Sequence, residues 1–246
     1  MTRYSGLSDT ATLEALLRRR HSTRAFEDTE VPDDLITRIL ELAQRTATWC
    51  NAQPWHVRIV RGETLRELSA TVRSAVERRD RSFDITPPLA YEGLYADRRR
   101  ICAMTLYESL GIQREDRAAR YTQAMKNYEF FGAPQVAFVT AETALGDYAY
   151  VDVGAYMSTF ILAAESVGVA TIVQGAVAEY SPTVRDLLGI PETELLIASI
   201  GFGYEDAAHP VNAMRTDRAP LLEVVVGHSN TARRQPLNKA HEEVCE

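Results

Sequence analysis

Residues 148–167 read YAYVDVGAYMSTFILAAESV and set the architecture of this chain. The pattern predicts one long helix that is apolar over much of its circumference and not along a single stripe. Its larger apolar side chains share one side, at Val153, Tyr156, Met157, Phe160, Ile161 and Ala164. A helix of this kind must be covered by other elements on several sides, so we expect it at the centre of the core.

Strand and helix patterns alternate on both sides of this central helix. Apolar runs predict strands at 57–61, 135–140, 170–173 and 194–202, with a last β-rich run at 221–226. Helical patterns occupy 12–20, a segment opened by Val31-Pro32-Asp33-Asp34, 63–79, 98–110, 115–130 and 181–188. The stretch 82–97 has no periodicity but several aromatic residues, which predicts a packed flap. No linker or repeat is present, so we predict one α+β domain over residues 1–246, with a core at about 10–226 and a polar tail at 227–246.

Composition narrows the classes of function. The chain has 246 residues, a net charge of -7 and no extended basic face, which argues against a nucleic-acid partner. No apolar run is long enough to span a bilayer, so no membrane segment is expected. Residues 1–9 lack the apolar centre of a signal peptide. The three cysteines, Cys50, Cys102 and Cys245, are far apart, and a reducing cytoplasm is the predicted compartment.

The stretch RRHSTRAF at residues 19–26 concentrates hydrogen-bond donors in an otherwise acidic chain. It combines guanidiniums, an imidazole and two hydroxyls, and the guanidinium fork matches the geometry of a phosphate. These residues therefore suggest a site for a phosphorylated small molecule. A simpler interpretation stays open, because Arg18, Arg19 and Arg20 also end a predicted helix, where cations favour the dipole.

Motifs for chemistry by the protein's own side chains are missing from the sequence. Gly201-Phe202-Gly203 follows a strand but is followed neither by a third glycine nor by a helix, so it is rejected as a dinucleotide fingerprint. The five histidines are scattered, and no nucleophile elbow, phosphate loop or zinc helix is found. We therefore expect no metal and no catalytic side chain, and we assign the chemistry to an organic cofactor.

Four segments together resemble the FMN-dependent nitroreductase family. They are Arg20-His21-Ser22-Thr23-Arg24-Ala25-Phe26, the segment ATWCNAQPW at 47–55, Asn127-Tyr128 shortly before Ala133-Pro134, and Arg215 to Leu221. Their order and spacing match from about residue 10 to 226. The second segment is the most specific, although the family often has Pro-Ser-Ser where this chain has Ala47-Thr48-Trp49.

The resemblance implies an intertwined homodimer with an FMN at each of two interfaces, built on a central, mostly antiparallel sheet flanked by helices. Arg20, His21, Ser22 and Arg24 would line the phosphate and ribityl side, and Arg218 with Arg215 would complete the phosphate clamp. Ala47, Thr48, Trp49 and Asn51 would approach the flavin from the partner subunit. Asn127 would hydrogen-bond the cofactor, and Gln174 and Gly175 would approach its ring system. For Asn51 an ordinary turn and for Arg215 a solvated pair with Asp217 remain alternatives.

The activity implied by the resemblance is a two-step reduction in which the flavin carries the chemistry. NAD(P)H delivers hydride to flavin N5 and leaves, and a nitroaromatic, quinone or similar electron-poor compound is then reduced. Trp49, Tyr91, Phe130 and Phe131 are the predicted substrate neighbours. A flavin-binding sensor without turnover, or a family variant that performs reductive dehalogenation or heterocycle oxidation, are the alternatives.

Overall fold

The computed structural model describes residues 7–227. They belong to two compact units, which divide between Met214 and Arg215. The first unit contains the whole sheet and the helices α1 to α7. The second contains α8, Leu221–Val224. No helix within residues 7–227 has both the length and the apolar character that crossing a membrane requires.

A four-stranded antiparallel sheet forms the centre of the first unit. Its strands are β1 (Trp55–Arg61), β2 (Gln135–Glu142), β3 (Ala170–Gln174) and β4 (Glu194–Gly203). Their order is β1-β2-β4-β3, and every hydrogen-bonded neighbour is antiparallel. The predicted strands at 57–61, 135–140, 170–173 and 194–202 are confirmed, as is the α+β class with an antiparallel sheet flanked by helices.

One face of the sheet is covered by α2 (Asp33–Ala43) and α6 (Tyr148–Ser166). The inward side chains of β2 and β4 on this face pack against the apolar side of α6, where Val153, Tyr156 and Phe160 are buried. The Tyr156 ring also stacks on Trp55 of β1, with 4.6 Å between ring centroids. The expected central helix is thus confirmed.

The opposite face is covered by α3 (Gly62–Arg78) and α7 (Ser181–Leu188). Leu68 and Val72 of α3 pack on Val136 and Phe138 of β2. Gly201 and Gly203 lie inside β4, where close packing against neighbouring residues leaves little room for a side chain. A Cβ on Gly203 would lie 2.8 Å from Cδ of Pro134, which is closer than real contacts allow. The remaining helices are α1 (Leu7–Arg19), α4 (Gly93–Ser109) and α5 (Arg117–Met125).

Three local predictions are wrong. The run at 221–226 contains the helix α8 and no strand. A strand was expected there because a short apolar run is compatible with either element. The non-periodic stretch expected at 82–97 ends earlier, because helix α4 begins at Gly93; Ser82 and Asp84 are bonded to the rest of the unit, whereas Tyr91 and Tyr95 are 47% and 68% exposed. The helix expected at 115–130 ends at Met125 and is followed by a 3-10 segment, in which Phe130 and Phe131 have φ values of 51° and 55°.

Candidate cofactor site

The donor-rich segment lies against the edge strand of the sheet. After α1 ends at Arg19, the backbone of Ser22 pairs in parallel with Thr171 of β3. The amide of Thr23 donates to the carbonyl of Thr171 at 3.0 Å. The side chain of Asn212 holds the next two residues, since it accepts from the amide of Arg24 at 2.8 Å and donates to the carbonyl of Ala25 at 2.8 Å. These backbone contacts fix the directions of the side chains between them.

Arg24 is a half-buried cation without a carboxylate partner among residues 7–214. Its Nη1 donates to the carbonyl of Ser22 at 3.1 Å and approaches Sδ of Met214 at 3.8 Å. Burial is the larger cause and lowers the pKa of Arg24, whereas the nearby Cys102 acts in the opposite direction. Because a buried charge is costly without a counter-charge, this guanidinium suits an anionic ligand.

The other donors of the segment divide into two groups. Arg18 pairs with Glu14 and Arg19 with Glu165, as the simple helix-end interpretation expects. Both ring nitrogens of His21 are also engaged, with the carbonyl of Arg19 and the carboxylate of Glu205, each at 3.0 Å. Arg20 and Ser22 are half-buried and lie with Arg24 on the segment that borders β3.

Asn127, Gln174 and Gly175 come together at the end of β3. Nε2 of the buried Gln174 donates to the carbonyl of Asn127 at 2.7 Å. Its Oε1 is buried without a hydrogen-bond partner among the described residues, and the same holds for Oγ of Ser199, which is directly opposite on β4. Oγ1 of Thr23, beside β3, is a third such atom. Buried polar atoms normally find partners, so the neighbouring oxygens of Gln174 and Ser199 fit a polar ligand such as the flavin.

The loop at 47–53 is largely exposed and contacts the beginning of α6. The amide of Trp49 donates to Oδ2 of Asp152 at 3.2 Å, and its ring meets Tyr148 edge-on with 4.3 Å between centroids. Three non-glycine residues, Cys50, Asn51 and Gln53, have positive φ values of 50°, 57° and 50°. Each such conformation costs roughly 1–3 kcal/mol, and strain of this kind is concentrated in functional loops.

The start of the donor segment and the loop at 47–53 contact opposite ends of α6. Arg19 at the start of the donor segment pairs with Glu165 near the end of the helix, whereas Trp49 contacts Asp152 near its beginning. With a rise of about 1.5 Å per residue, positions 152 and 165 are about 20 Å apart. The start of the donor segment and the loop at 47–53 are therefore anchored about 20 Å apart on α6.

The second unit holds the remaining predicted phosphate ligands. Nη1 of Arg218 donates to the carbonyl and hydroxyl of Thr216 at 3.1 and 3.0 Å, and to the carbonyl of Asp217 at 3.0 Å. The assignment of Arg215 and Arg218 to the phosphate stays a prediction.

The predicted substrate neighbours have different environments. Phe130 and Phe131 are 1% and 7% exposed, and Phe130 packs edge-on against Phe138 in the core, which argues against direct contact with a substrate. Trp49 is 58% exposed. Tyr91 lines a cavity of about 670 Å³ next to Gly175, and the guanidinium of Arg99 lies over its ring, 5.3 Å from the centroid.

Arg99 is a residue that the sequence analysis missed. It belongs to the run DRRR at 97–100, which is typical of a solvated helix face. The aromatic residues of the preceding loop were the signal that could have marked one of these arginines as part of a site.

Comparison with known proteins identifies the family. The model of the Nitroreductase family matches residues 17–204. A 4-nitrobenzoate reductase from Nocardioides sp. (strain LMS-CY) is 35% identical over 213 residues, which are 85% of this chain and 86% of that protein. The chain belongs to the nitroreductase family.

Solved structures agree with this assignment. The FMN-dependent nitroreductase NfnB from Mycobacterium smegmatis, in complex with NADPH, has a TM-score of 0.85 and 31% identity, covering 89% of this chain and 99% of that one. The FMN- and NADPH-dependent nitroreductase NfnB from Sphigopyxis sp. strain HMH has a TM-score of 0.83 and 33% identity, covering 88% and 98%.

Proposed function

We propose that this chain is an FMN-dependent nitroreductase that uses NAD(P)H to reduce nitroaromatic compounds. It belongs to the nitroreductase family, one relative is named for reduction of 4-nitrobenzoate, and the similar solved structures are FMN-dependent and work with NADPH. Bound FMN supplies hydride-transfer chemistry between the nicotinamide and the acceptor. The protein's own residues bind and orient the reactants and exclude water.

The observation that carries the proposal is the half-buried guanidinium of Arg24, which has no carboxylate partner among residues 7–214. In the proposed complex Arg24, with Arg20 and Ser22, binds the phosphate through charge-assisted hydrogen bonds. The orphaned Oε1 of Gln174 and the neighbouring Asn127 and Gly175 hold the ring system. A fixed cation and fixed donors stabilise negative charge on the reduced cofactor.

The active form in this proposal is a cytoplasmic homodimer, with FMN between the subunits. The separation of about 20 Å along α6 supports this arrangement, because the loop at 47–51 would reach the cofactor of the partner subunit. The proposal also treats residues 10–226 as one FMN-binding domain and keeps Arg215 and Arg218 as phosphate ligands, both on the basis of the sequence resemblance.

The purified protein tests this function directly. We expect a yellow protein with one FMN per subunit, bleached by NADPH under argon and reoxidised by 4-nitrobenzoate. Arg24→Ala removes one charge-assisted contact of about 1.5–3 kcal/mol, so the dissociation constant for FMN should rise about tenfold to a hundredfold.

Arg18→Ala is the matched control, because Arg18 pairs with Glu14 on the exposed side of α1 and should leave FMN affinity unchanged. A wild-type protein that stays colourless and takes up no added FMN contradicts the proposed function. Equal FMN affinity in both variants contradicts the role of Arg24 but leaves the proposed function standing.

A further inference from the structure

We propose that the cavity beside Gly175 is the acceptor subsite and that Arg99 makes it selective for nitroaromatics that carry a carboxylate. This inference rests on the proposed function and adds the chemical class of the preferred substrate. The residues that carry it are Phe83, Tyr91, Arg99, Tyr150 and Gly175.

The cavity has the position and size that such a substrate needs. It lies where β3 ends, next to the group formed by Gln174 and Asn127, and its volume of about 670 Å³ is in the range of small-molecule sites. Three aromatic side chains, Phe83, Tyr91 and Tyr150, line it. Aromatic walls of this kind favour a flat ring through stacked or edge-on contacts.

Only one of the two arginines that line the cavity is free of an ion pair among the described residues and could bind an anionic substrate. Of the two arginines that line it, Arg81 is neutralised by Glu179, with 2.6 Å between Nη2 and Oε2. Arg99 has no carboxylate partner among residues 7–214, and its guanidinium lies over the ring of Tyr91. The neighbouring Arg100 pairs with Asp97 at 3.0 Å instead. Arg99 therefore presents an uncompensated, planar set of donors beside an aromatic wall, and this geometry fits a carboxylate.

The loop that forms one wall is anchored at its base. Asp84 accepts hydrogen bonds from Oγ of Ser181 at 3.0 Å, from the amide of Leu196 at 2.7 Å and from Nη2 of Arg185 at 2.7 Å. The adjacent Phe83 is thereby held in place. A cavity with a fixed wall can select for the shape and charge of its ligand.

The test compares 4-nitrobenzoate with nitrobenzene, which has the same ring and nitro group but no carboxylate. For Arg99→Ala we expect KM for 4-nitrobenzoate to rise about tenfold or more at nearly unchanged kcat, whereas kinetics with nitrobenzene and KM for NADPH change less than about twofold. Arg99→Lys should recover part of the loss. Arg100→Ala is the matched control on the same helix and should behave as the wild type.

A binding measurement separates this inference from the proposed function. Titration of the FMN-loaded protein with benzoate, which cannot be reduced, should give a dissociation constant that Arg99→Ala weakens about tenfold. Equal benzoate affinity in wild type and Arg99→Ala overturns the inference even if both enzymes reduce nitrobenzene. A change in KM for NADPH in place of 4-nitrobenzoate also overturns it, because Arg99 would then bind the nicotinamide nucleotide. Failure of the wild type to reduce either nitro compound rejects the proposed function, while the benzoate titration still decides the subsite.

Discussion

Arg19 and Arg24 are five positions apart and have opposite environments. Arg19 is held by Glu165 of α6, whereas Arg24 is half-buried and forms no ion pair with a carboxylate among residues 7–214. The sequence predicted that the cluster contains an anion site, because arginine and hydroxyl donors are concentrated there. It could not tell the paired arginines from the unpaired one, since their partners are distant in sequence and are brought close only by the fold.

The close contact of Gly203 with Pro134 also depends on the fold and is not visible in the sequence, and it gives a testable prediction. Gly203→Ala should lower the free energy of unfolding by about 1–3 kcal/mol, because the new Cβ would lie 2.8 Å from Cδ of Pro134 and the strand must shift. Chemical denaturation of the apo-protein measures the effect. Gly154→Ala on α6 is the control, where a Cβ meets no atom within 4 Å and alanine favours the helix. Equal stabilities of the two variants would show that β4 does not pack tightly on the loop before β2.

At the scale of elements, an ion pair links three strands of the sheet. Arg58 of β1 donates to both carboxylate oxygens of Glu194 on β4, at 2.7 and 2.9 Å, and Thr140 of β2 also donates to Glu194. The hydrogen bonds from Arg58 are the main cause that lowers the pKa of Glu194 below its ordinary value of 4.5. A lowered pKa contributes stability above the unfolded-state value, and this stability is lost as the pH falls through the folded-state value.

Glu194→Gln should therefore destabilise the protein at pH 7, and the difference from wild type should shrink as the pH falls below about 4.5. Urea unfolding between pH 7 and pH 3 measures both free energies. Glu63→Gln is the control, because Glu63 pairs with Arg66 on the exposed side of α3 and should show little effect. A difference between wild type and Glu194→Gln that is constant with pH would contradict the contribution of this ionised pair.

The strands and the central helix could be predicted because their apolar patterns are long and continuous. The start of α4 and the end of α5 could not be predicted from the sequence. The regular helix α5 ends at Met125, and Phe130 and Phe131 in the following 3-10 segment adopt positive φ, which a non-glycine sequence does not reveal. The run of charges at 97–100 is typical of a solvated helix face, and the contact of Arg99 with Tyr91 is set by the path of the loop before α4, which the sequence does not show.

At the scale of the whole molecule, α4 is a helix without a buried residue. Four of its apolar side chains, Leu94, Tyr95, Ile101 and Met104, are 63%, 68%, 57% and 49% exposed in the single chain. Several large apolar groups on one exposed helix mark an interaction surface. This surface, and the wide separation on α6 of the contacts made by Arg19 and Trp49, are the reasons to test the proposed assembly of the site from two copies of the chain.

Ile101→Glu should break the proposed dimer and release FMN together. In a two-fold symmetric interface the substitution occurs twice, and each buried carboxylate without a partner costs several kcal/mol, so the dimer dissociation constant should rise at least a hundredfold. Size-exclusion chromatography with light scattering measures the mass, and the absorbance of FMN measures occupancy in the same peak. Thr64→Glu on the exposed side of α3 is the control and should stay dimeric and yellow. A monomeric Ile101→Glu with full FMN occupancy would place the whole cofactor site in one chain, and an unchanged dimer would place the interface away from α4.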